Sequence, residues 1–429
     1  MNHRCSVTVE PAKSINGTLR LPGDKSISHR YALLSALAEG TSRFTNFSSA
    51  ADCASSLSCI EQLGAKVVHQ GGEVEITGCG GALQQPLSAL DCGNSGSTMR
   101  MLAGVLAAQN FRSELYGDAS LSRRPMRRIM EPLNLMGGDV QALGERPPLV
   151  IEGRQLHGIH YKTVVPSAQV KSCVLLAGLH ATGETIVEES VRTRDHTELA
   201  LRAYGAEIES EGLVSRLRGG QRLHAIEACV PGDISTAAFF LCAAAILPGS
   251  HIVLENIVLN PTRATLLDTL DQLGLEVKIL GVEEKNGELV GSIEATYDSC
   301  EGLVVEGETA AQLIDELPVL AAIGAYTNNG VEIRDARELR VKESDRIAAV
   351  ADNLRRMGID VEEREDGWRI EGSQRPHGAE IEAFGDHRIA MAFAVAALAA
   401  EGETVIQGSE AVAVSFPGFF STLNSVLQR

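Results

Sequence analysis

The sequence predicts an α/β fold built from six similar units. Two recurring patterns carry that expectation. Five times a helical stretch ends at a glycine and passes into a strand: Leu63-Gly-Ala-Lys-Val67, Met136-Gly-Gly-Asp-Val140, Tyr204-Gly-Ala-Glu-Ile208, Leu273-Gly-Leu-Glu-Val277 and Met357-Gly-Ile-Asp-Val361. Gly64, Gly137, Gly205, Gly274 and Gly358 are each placed to end a helix with φ > 0 at little steric cost. In step with them, a polar or glycine turn opens an apolar helix at Gly23, Gly93, Pro166, Gly232, Asp315 and Gly385. The repeat is about 70 residues long, which is not a standard helical solenoid period.

The elements follow in order. Gly23-Asp-Lys-Ser opens the run Tyr31–Ala38, and Asp91–Arg100 (DCGNSGSTMR) opens the next apolar helix, with Asn94 a candidate cap. Ser167-Ala-Gln-Val-Lys171 opens a third. Turns then lead into β-branched strands at Gly183-Glu-Thr-Ile-Val187, Gly249-Ser-His-Ile-Val253 and Gly402-Glu-Thr-Val-Ile406. Leu317–Ala325 and Ile389–Ala400 read as apolar helices, and Phe419–Leu427 as a closing one. Three units make a domain of about 200 residues, so the chain divides three plus three near Cys229–Gly232.

The 429 residues carry a formal charge of −18, with 4% aromatic residues and one tryptophan, Trp368. That excess of acid and shortage of stacking groups argue against a nucleic-acid partner. Nine cysteines without a C-x-x-C pair suit a reducing cytosol. The start MNHRCSVTVEPAK has no signal-peptide core, and the longest apolar run is too short to span a membrane. A cytoplasmic protein without a membrane partner is therefore expected.

Against this acidic background, cations gather at the helix openings. A glycine turn at a helix N-terminus presents backbone N–H groups and the positive end of a dipole, both suited to anions. Lys25 and Arg30, with Ser26 and Ser28, add charge and hydroxyls to the first turn. Gly117–Arg128 holds Arg123, Arg124, Arg127 and Arg128 within six residues, a geometry suited to phosphate or carboxylate. Arg340–Arg346 reads RVKESDR, which, if helical, aims Lys342 and Arg346 at one region with Glu343 between them. Helix caps, solvated basic loops and surface ion pairs account for these stretches at least as well when each is taken singly. His196 and Glu198 in RTRDHTE lack a second histidine at ligand spacing. No P-loop, G-x-S-x-G, H-E-x-x-H or G-x-G-x-x-G motif is present, since Asp24 separates Gly23 from Lys25. Nothing calls for a metal or an organic cofactor.

The order GDKSISHR, GNSGSTMR, RRP, SAQVK, RDHTE, NPTR, RVKESDR, DHR resembles the 5-enolpyruvylshikimate-3-phosphate synthases (3-phosphoshikimate 1-carboxyvinyltransferases), in their class II branch, along essentially the whole chain. The resemblance implies two inside-out α/β domains of three units each, with the active site in the interdomain cleft. One domain would comprise 1–19 plus 230–429, the other 20–229. It also implies transfer of the enolpyruvyl group of phosphoenolpyruvate to the 5-hydroxyl of shikimate 3-phosphate, a step toward chorismate and the aromatic amino acids, by a monomer without cofactor. By match to the family motifs, Lys25, Asn94, Gly96, Arg124, Gln169, Arg346 and Arg388 would hold phosphoenolpyruvate. Lys25, Ser26, Arg30, Ser167, Ala168, Gln169, Arg194, Asp315 and Lys342 would hold shikimate 3-phosphate. Asp315 would take the hydroxyl proton, and Glu343 or Lys25 would protonate the enol methylene. Two features bear on the match. AVAVSFP at Ala411–Pro417 lacks the lysine many members carry there, and Gly96 keeps the glycine whose alanine replacement is associated with glyphosate tolerance. The alternatives are the related transferase acting on UDP-N-acetylglucosamine, disfavoured because Leu121–Arg128 has no cysteine, and an inactive anion-binding protein of the same fold.

Overall fold

The computed structural model describes residues 5–70 and 72–429. The chain forms two compact units. The first comprises Gly23–Val230 with residues 284–288; the second comprises the described residues up to Pro22, Pro231–Glu283 and Leu289–Arg429.

The first unit contains α1 (Lys25–Leu37), α2 (Ala51–Gln62), α3 (Gly96–Ala107), α4 (Arg127–Leu135), α5 (Ala168–Gly178) and α6 (His196–Ala203). Every residue of α1 from Ile27 onward is buried, as are nearly all of α3 and α5. A helix enclosed on all sides belongs inside a core, and α3 and α5 pack closely enough that a Cβ on Gly104 would lie 2.2 Å from the Cys173 carbonyl oxygen. Three four-stranded sheets surround these helices, and all share one pattern. Arg112–Tyr116 pairs in parallel with Leu90–Asp91 and antiparallel with Leu149–Glu152, which pairs antiparallel with Asp139–Ala142. Glu184–Glu188 and its neighbours repeat this arrangement. So does Thr41–Thr45, whose parallel partner, Glu227–Cys229, comes from the far end of the unit. The strands alternate buried and exposed residues, as in Thr41–Thr45 and Val214–Arg218, which keeps one sheet face toward the helices.

The second unit contains α7 (Ile234–Ile246), α8 (Thr265–Leu273), α9 (Gly307–Gln312), α10 (Leu317–Ala322), α11 (Arg346–Arg356), α12 (His387–Ala397) and α13 (Phe419–Asn424). All of α7 and α12 is buried. The chain start is built into this unit: Ser6–Val9 pairs with Thr404–Gln407, and Ser14–Arg20 pairs with His251–Val258. Among the described residues, six sheets thus accompany the six repeats.

The landmark glycines behave as the repeat requires. Gly64, Gly137, Gly205, Gly274 and Gly358 have φ of 101°, 92°, 88°, 104° and 76°, a region costly for other residues. Three local expectations are corrected. Lys342 lies outside any helix, in extended conformation, because Asp345 caps α11 and the helix starts only at Arg346. The Leu317 helix ends at Ala322 and continues as a 3-10 turn at Gly324–Tyr326. The closing helix ends at Asn424, and Leu427–Gln428 leaves it to pair with Ser14–Ile15.

Candidate functional site

Several of the helix openings are capped by side chains. Asp24, Ser95, Ser167, Asp233 and Asp386 each accept a backbone N–H at the start of α1, α3, α5, α7 and α12. Asn94 is not the cap of α3, contrary to expectation. Ser95 holds that place, and Asn94 instead donates to Asp118 Oδ2 at 2.7 Å and accepts from Arg124 at 2.7 Å.

In the first unit, Lys25 opens α1 and pairs with Asp52 Oδ2 at 2.9 Å. Around the start of α3, Arg124 and Arg100 flank Gly96, where a Cβ would lie 2.8 Å from Arg100 Nη1 and 3.2 Å from Arg124 Nη1. Arg100 donates to Gln169 Oε1, and Gln169 Nε2 donates to Ser97 Oγ at 2.8 Å. Gly96, Asn94, Arg124 and Gln169 are therefore gathered about two guanidiniums. Ser167 and Ala168 form the opening of α5, with Ser167 Oγ accepting from Val170 N. Arg194 lies half-buried ahead of α6.

Arg30 is deeper than the others. Its nitrogens donate to Thr197 Oγ1, the Ser26 carbonyl and Ser172 Oγ at 2.7–2.8 Å. Burial lowers its pKa to about 10, against the pull of Glu198 and Asp24. It thus ties α1 to α5 and α6, at or just ahead of whose openings Ser167, Gln169 and Arg194 lie. Neither His196 nor Glu198 forms a metal pair. His196 Nδ1 meets Glu288 at 2.6 Å, and Glu198 meets the buried Lys171 at 2.8 Å. Among the described residues no His, Cys, Asp and Glu cluster is arranged to hold a metal ion.

His29, one turn along α1, is enclosed. Burial above all, then Lys25 and Arg30, holds its pKa well below the usual range. The unfolded chain takes up this proton near pH 6.5 and the folded chain does not, so stability present above that pH is lost as pH falls below it. His29→Asn should remove this contribution. Denaturant titrations at pH 7 and pH 5 should show wild type losing more stability than the variant, by more than about 1 kcal/mol; equal losses would contradict a neutral His29.

The second unit holds a denser charge cluster. Asp315 Oδ1 lies 3.6 Å from Arg346 Nη1 and 4.0 Å from Lys342 Nζ, and Asp315 Oδ2 lies 3.7 Å from Arg388 Nη2. Arg388 also donates to the Asp315 carbonyl at 2.6 Å. Arg346, 1% exposed, is held by Asp386 at 2.8 Å and by Glu343 Oε2 at 2.6 Å. Burial alone would lower the Arg346 pKa, but Asp386 and Glu343 outweigh it and raise it. Lys342 is shifted down by burial, with Asp315 opposing and Arg346 reinforcing that shift. The cluster brings Asp315, Lys342, Glu343, Arg346 and Arg388 together. It offers three cations for anionic groups and two carboxylates for proton transfer.

Several supporting residues have no mark in the sequence. Asp52, Arg100, Asp118 and Asp386 act through partners 24 to 69 positions away, and only Arg100 and Asp386 lie inside a recognisable motif.

Fold and sites define a six-repeat α/β protein that gathers cations at helix openings to handle small anions. A family model described as EPSP synthase (3-phosphoshikimate 1-carboxyvinyltransferase) matches residues 9–423. The chain belongs to that family. A 3-phosphoshikimate 1-carboxyvinyltransferase from Koribacter versatilis is 62% identical over 425 residues, which is 99% of this chain and 100% of that one. Another, from Solibacter usitatus, is 52% identical over 422 residues, 98% of this chain and 99% of that one. The solved structure of EPSP synthase from Acinetobacter baumannii matches with a TM-score of 0.87 at 43% identity, covering 98% of each chain.

Proposed function

We propose that the chain transfers the enolpyruvyl group of phosphoenolpyruvate to the 5-hydroxyl of shikimate 3-phosphate and releases phosphate. The observation that carries this reading is the second unit's cluster, in which Asp315 and Glu343 each sit against guanidinium groups in a member of this family. Protonation of the enol methylene makes a cation at the adjacent carbon, which the ring hydroxyl attacks as it loses its proton. Loss of phosphate, with removal of a methyl proton, restores the double bond. That sequence needs an acid, a base and clamps for two polyanions.

Asp315 is assigned as the base for the hydroxyl and Glu343 as the group that handles the methylene proton, with Lys25 the competing candidate. Lys25, Asn94, Gly96, Arg124, Gln169, Arg346 and Arg388 are assigned to phosphoenolpyruvate. Lys25, Ser26, Arg30, Ser167, Ala168, Gln169, Arg194, Asp315 and Lys342 are assigned to shikimate 3-phosphate. In this scheme the phosphoenolpyruvate carboxylate takes over Arg346 from Glu343, which releases Glu343 to carry a proton. A monomer in the cytoplasm, acting on these two small molecules without a nucleic-acid partner, completes the proposal. All nine cysteines are unpaired, in keeping with a reducing compartment, and among the described residues no helix is long and apolar enough to cross a membrane.

Proton NMR of a reaction with both substrates tests the activity: vinyl signals of a new enol ether should appear at the ring 5-oxygen. Their absence from a folded, substrate-saturated sample would reject the reading. A second expectation concerns Gly96. A methyl there pushes on the guanidiniums of Arg100 and Arg124, so Gly96→Ala should raise KM for phosphoenolpyruvate by about tenfold, the scale of one misplaced polar contact. Wild type should be glyphosate-sensitive, and the variant should be less so. Competition against phosphoenolpyruvate checks both points, and equal inhibition of the two proteins would contradict the assignment.

A further inference from the structure

Behind Lys25 and Gly96 runs a chain of buried side chains that the proposed reaction does not use. His29 Nδ1 lies 2.8 Å from Ser56 Oγ on α2, and Ser56 Oγ lies 2.8 Å from Thr98 Oγ1 on α3. Thr98 Oγ1 lies 2.7 Å from Ser95 Oγ and 3.3 Å from the Asp52 carbonyl, so its one proton goes to the nearer Ser95 Oγ, which also accepts from Thr98 N at 3.1 Å and caps α3. His29, Ser56, Thr98 and Ser95 are all fully buried. The site-bearing helices α1 and α3 are thus joined, through α2, by one run of hydrogen bonds.

The run has a direction. His29 Nε2 is buried and meets no partner among the described residues. A buried N–H left without an acceptor is costly, and an unmet lone pair is less so. The proton therefore belongs on Nδ1, which donates to Ser56. Ser56 then donates to Thr98, and Thr98 to Ser95, so Ser95 Oγ receives two donors. The opposite tautomer would strand an N–H and reverse each hydroxyl in turn. Ser95 precedes Gly96 and follows Asn94, so its position fixes the turn that faces Arg100 and Arg124. Lys25 stands one turn before His29 on the same helix, and its partner Asp52 stands one turn before Ser56.

We propose that His29 is a positioning residue for the phosphoenolpyruvate subsite: as the Nδ1–H tautomer it locks the start of α3, through Ser56 and Thr98, against the start of α1. The proposal rests on the phosphoenolpyruvate assignment made above. His29 touches no substrate in this scheme; it sets the spacing between Lys25 and the Asn94–Gly96 turn. A side-chain amide can supply a donor near the Nδ1 position, so asparagine is the conservative replacement and leucine the disruptive one. Ser56→Ala breaks the same chain with a smaller change in volume.

Steady-state phosphate release is measured for wild type, His29→Asn, His29→Leu and Ser56→Ala, varying each substrate in turn. His29→Leu and Ser56→Ala are expected to raise KM for phosphoenolpyruvate about tenfold or more, with KM for shikimate 3-phosphate changed less than about twofold. His29→Asn should stay within about threefold of wild type. Should His29→Leu not fold, Ser56→Ala carries the same comparison. Unchanged phosphoenolpyruvate KM in Ser56→Ala, or equal changes in both KM values, would overturn the proposal by reducing the chain to a general core contact. Nitrogen-15 spectra of labelled wild type should show His29 protonated at Nδ1 and bare at Nε2, and the reverse would overturn it. Failure of the function itself is seen separately, as wild type releasing no phosphate with both substrates. In that event calorimetric binding of phosphoenolpyruvate to the same four proteins decides: the same order of affinities supports the positioning role, and equal affinities or no binding overturns it.

Discussion

Asp315→Asn is expected to lower kcat by about 10²- to 10⁴-fold, the usual contribution of a general base, while KM for both substrates holds or falls. The reason lies in its neighbours. Lys342, Arg346 and Arg388 all lie within 4.0 Å of its carboxylate. Two polyanions entering the site would share these cations and leave the carboxylate free to take the hydroxyl proton. Asparagine has nearly the same shape but takes no proton. It also frees one positive charge's worth of attraction for the incoming anions, which is why binding should not weaken. Initial rates across both substrate concentrations separate the effects. A loss confined to KM would make Asp315 a binding group and remove it from the proton path.

Glu343→Gln should have an effect of similar size, about 10²- to 10⁴-fold in kcat, for a different reason. The amide oxygen of glutamine still accepts from Arg346 in place of the carboxylate bond at 2.6 Å, so the first turn of α11 should keep its position. What disappears is a group able to carry a proton. Trp368 provides a control, because its indole Nε1 donates to the Ile347 carbonyl at 2.9 Å, one residue beyond Arg346. As the only tryptophan in the chain, its emission should be the same in wild type and variant. Shikimate 3-phosphate affinity by calorimetry should change less than about twofold. Unaltered turnover would move the proton to Lys25, which waits on α1 beside Asp52.

Much of this could be read from residues because the repeat leaves local marks. A glycine that must adopt φ > 0 to end a helix is identifiable wherever it falls, and Gly64 through Gly358 all do so. Caps at Asp24, Ser95, Ser167, Asp233 and Asp386 are likewise decided within three residues. The misreadings arose where a distant partner outweighs a local preference. Asn94 is a good cap by type, but Asp118 and Arg124 hold its amide and Ser95 takes the cap. Lys342 and Arg346 have helical spacing, but Asp345 starts the helix between them, and both still reach Asp315. The C-terminal residues have a pairing strand waiting at Ser14–Ile15, so they leave the helix early. Asp52 and Asp118 carry no motif because an ion pair or amide contact across tens of residues leaves no periodic trace. His29 and Thr98 could be seen in their motifs, but Ser56, which links them, could not.

If this chain joins two anionic substrates, it should release phosphate only in doing so. Inorganic phosphate is followed continuously with phosphoenolpyruvate alone, shikimate 3-phosphate alone, and both together, using wild type and Asp315→Asn at equal concentration. Phosphate is expected only with both substrates, equimolar with the enol ether formed, and nearly abolished in the variant. Phosphate from either substrate alone, or equal release by the two proteins, would contradict it.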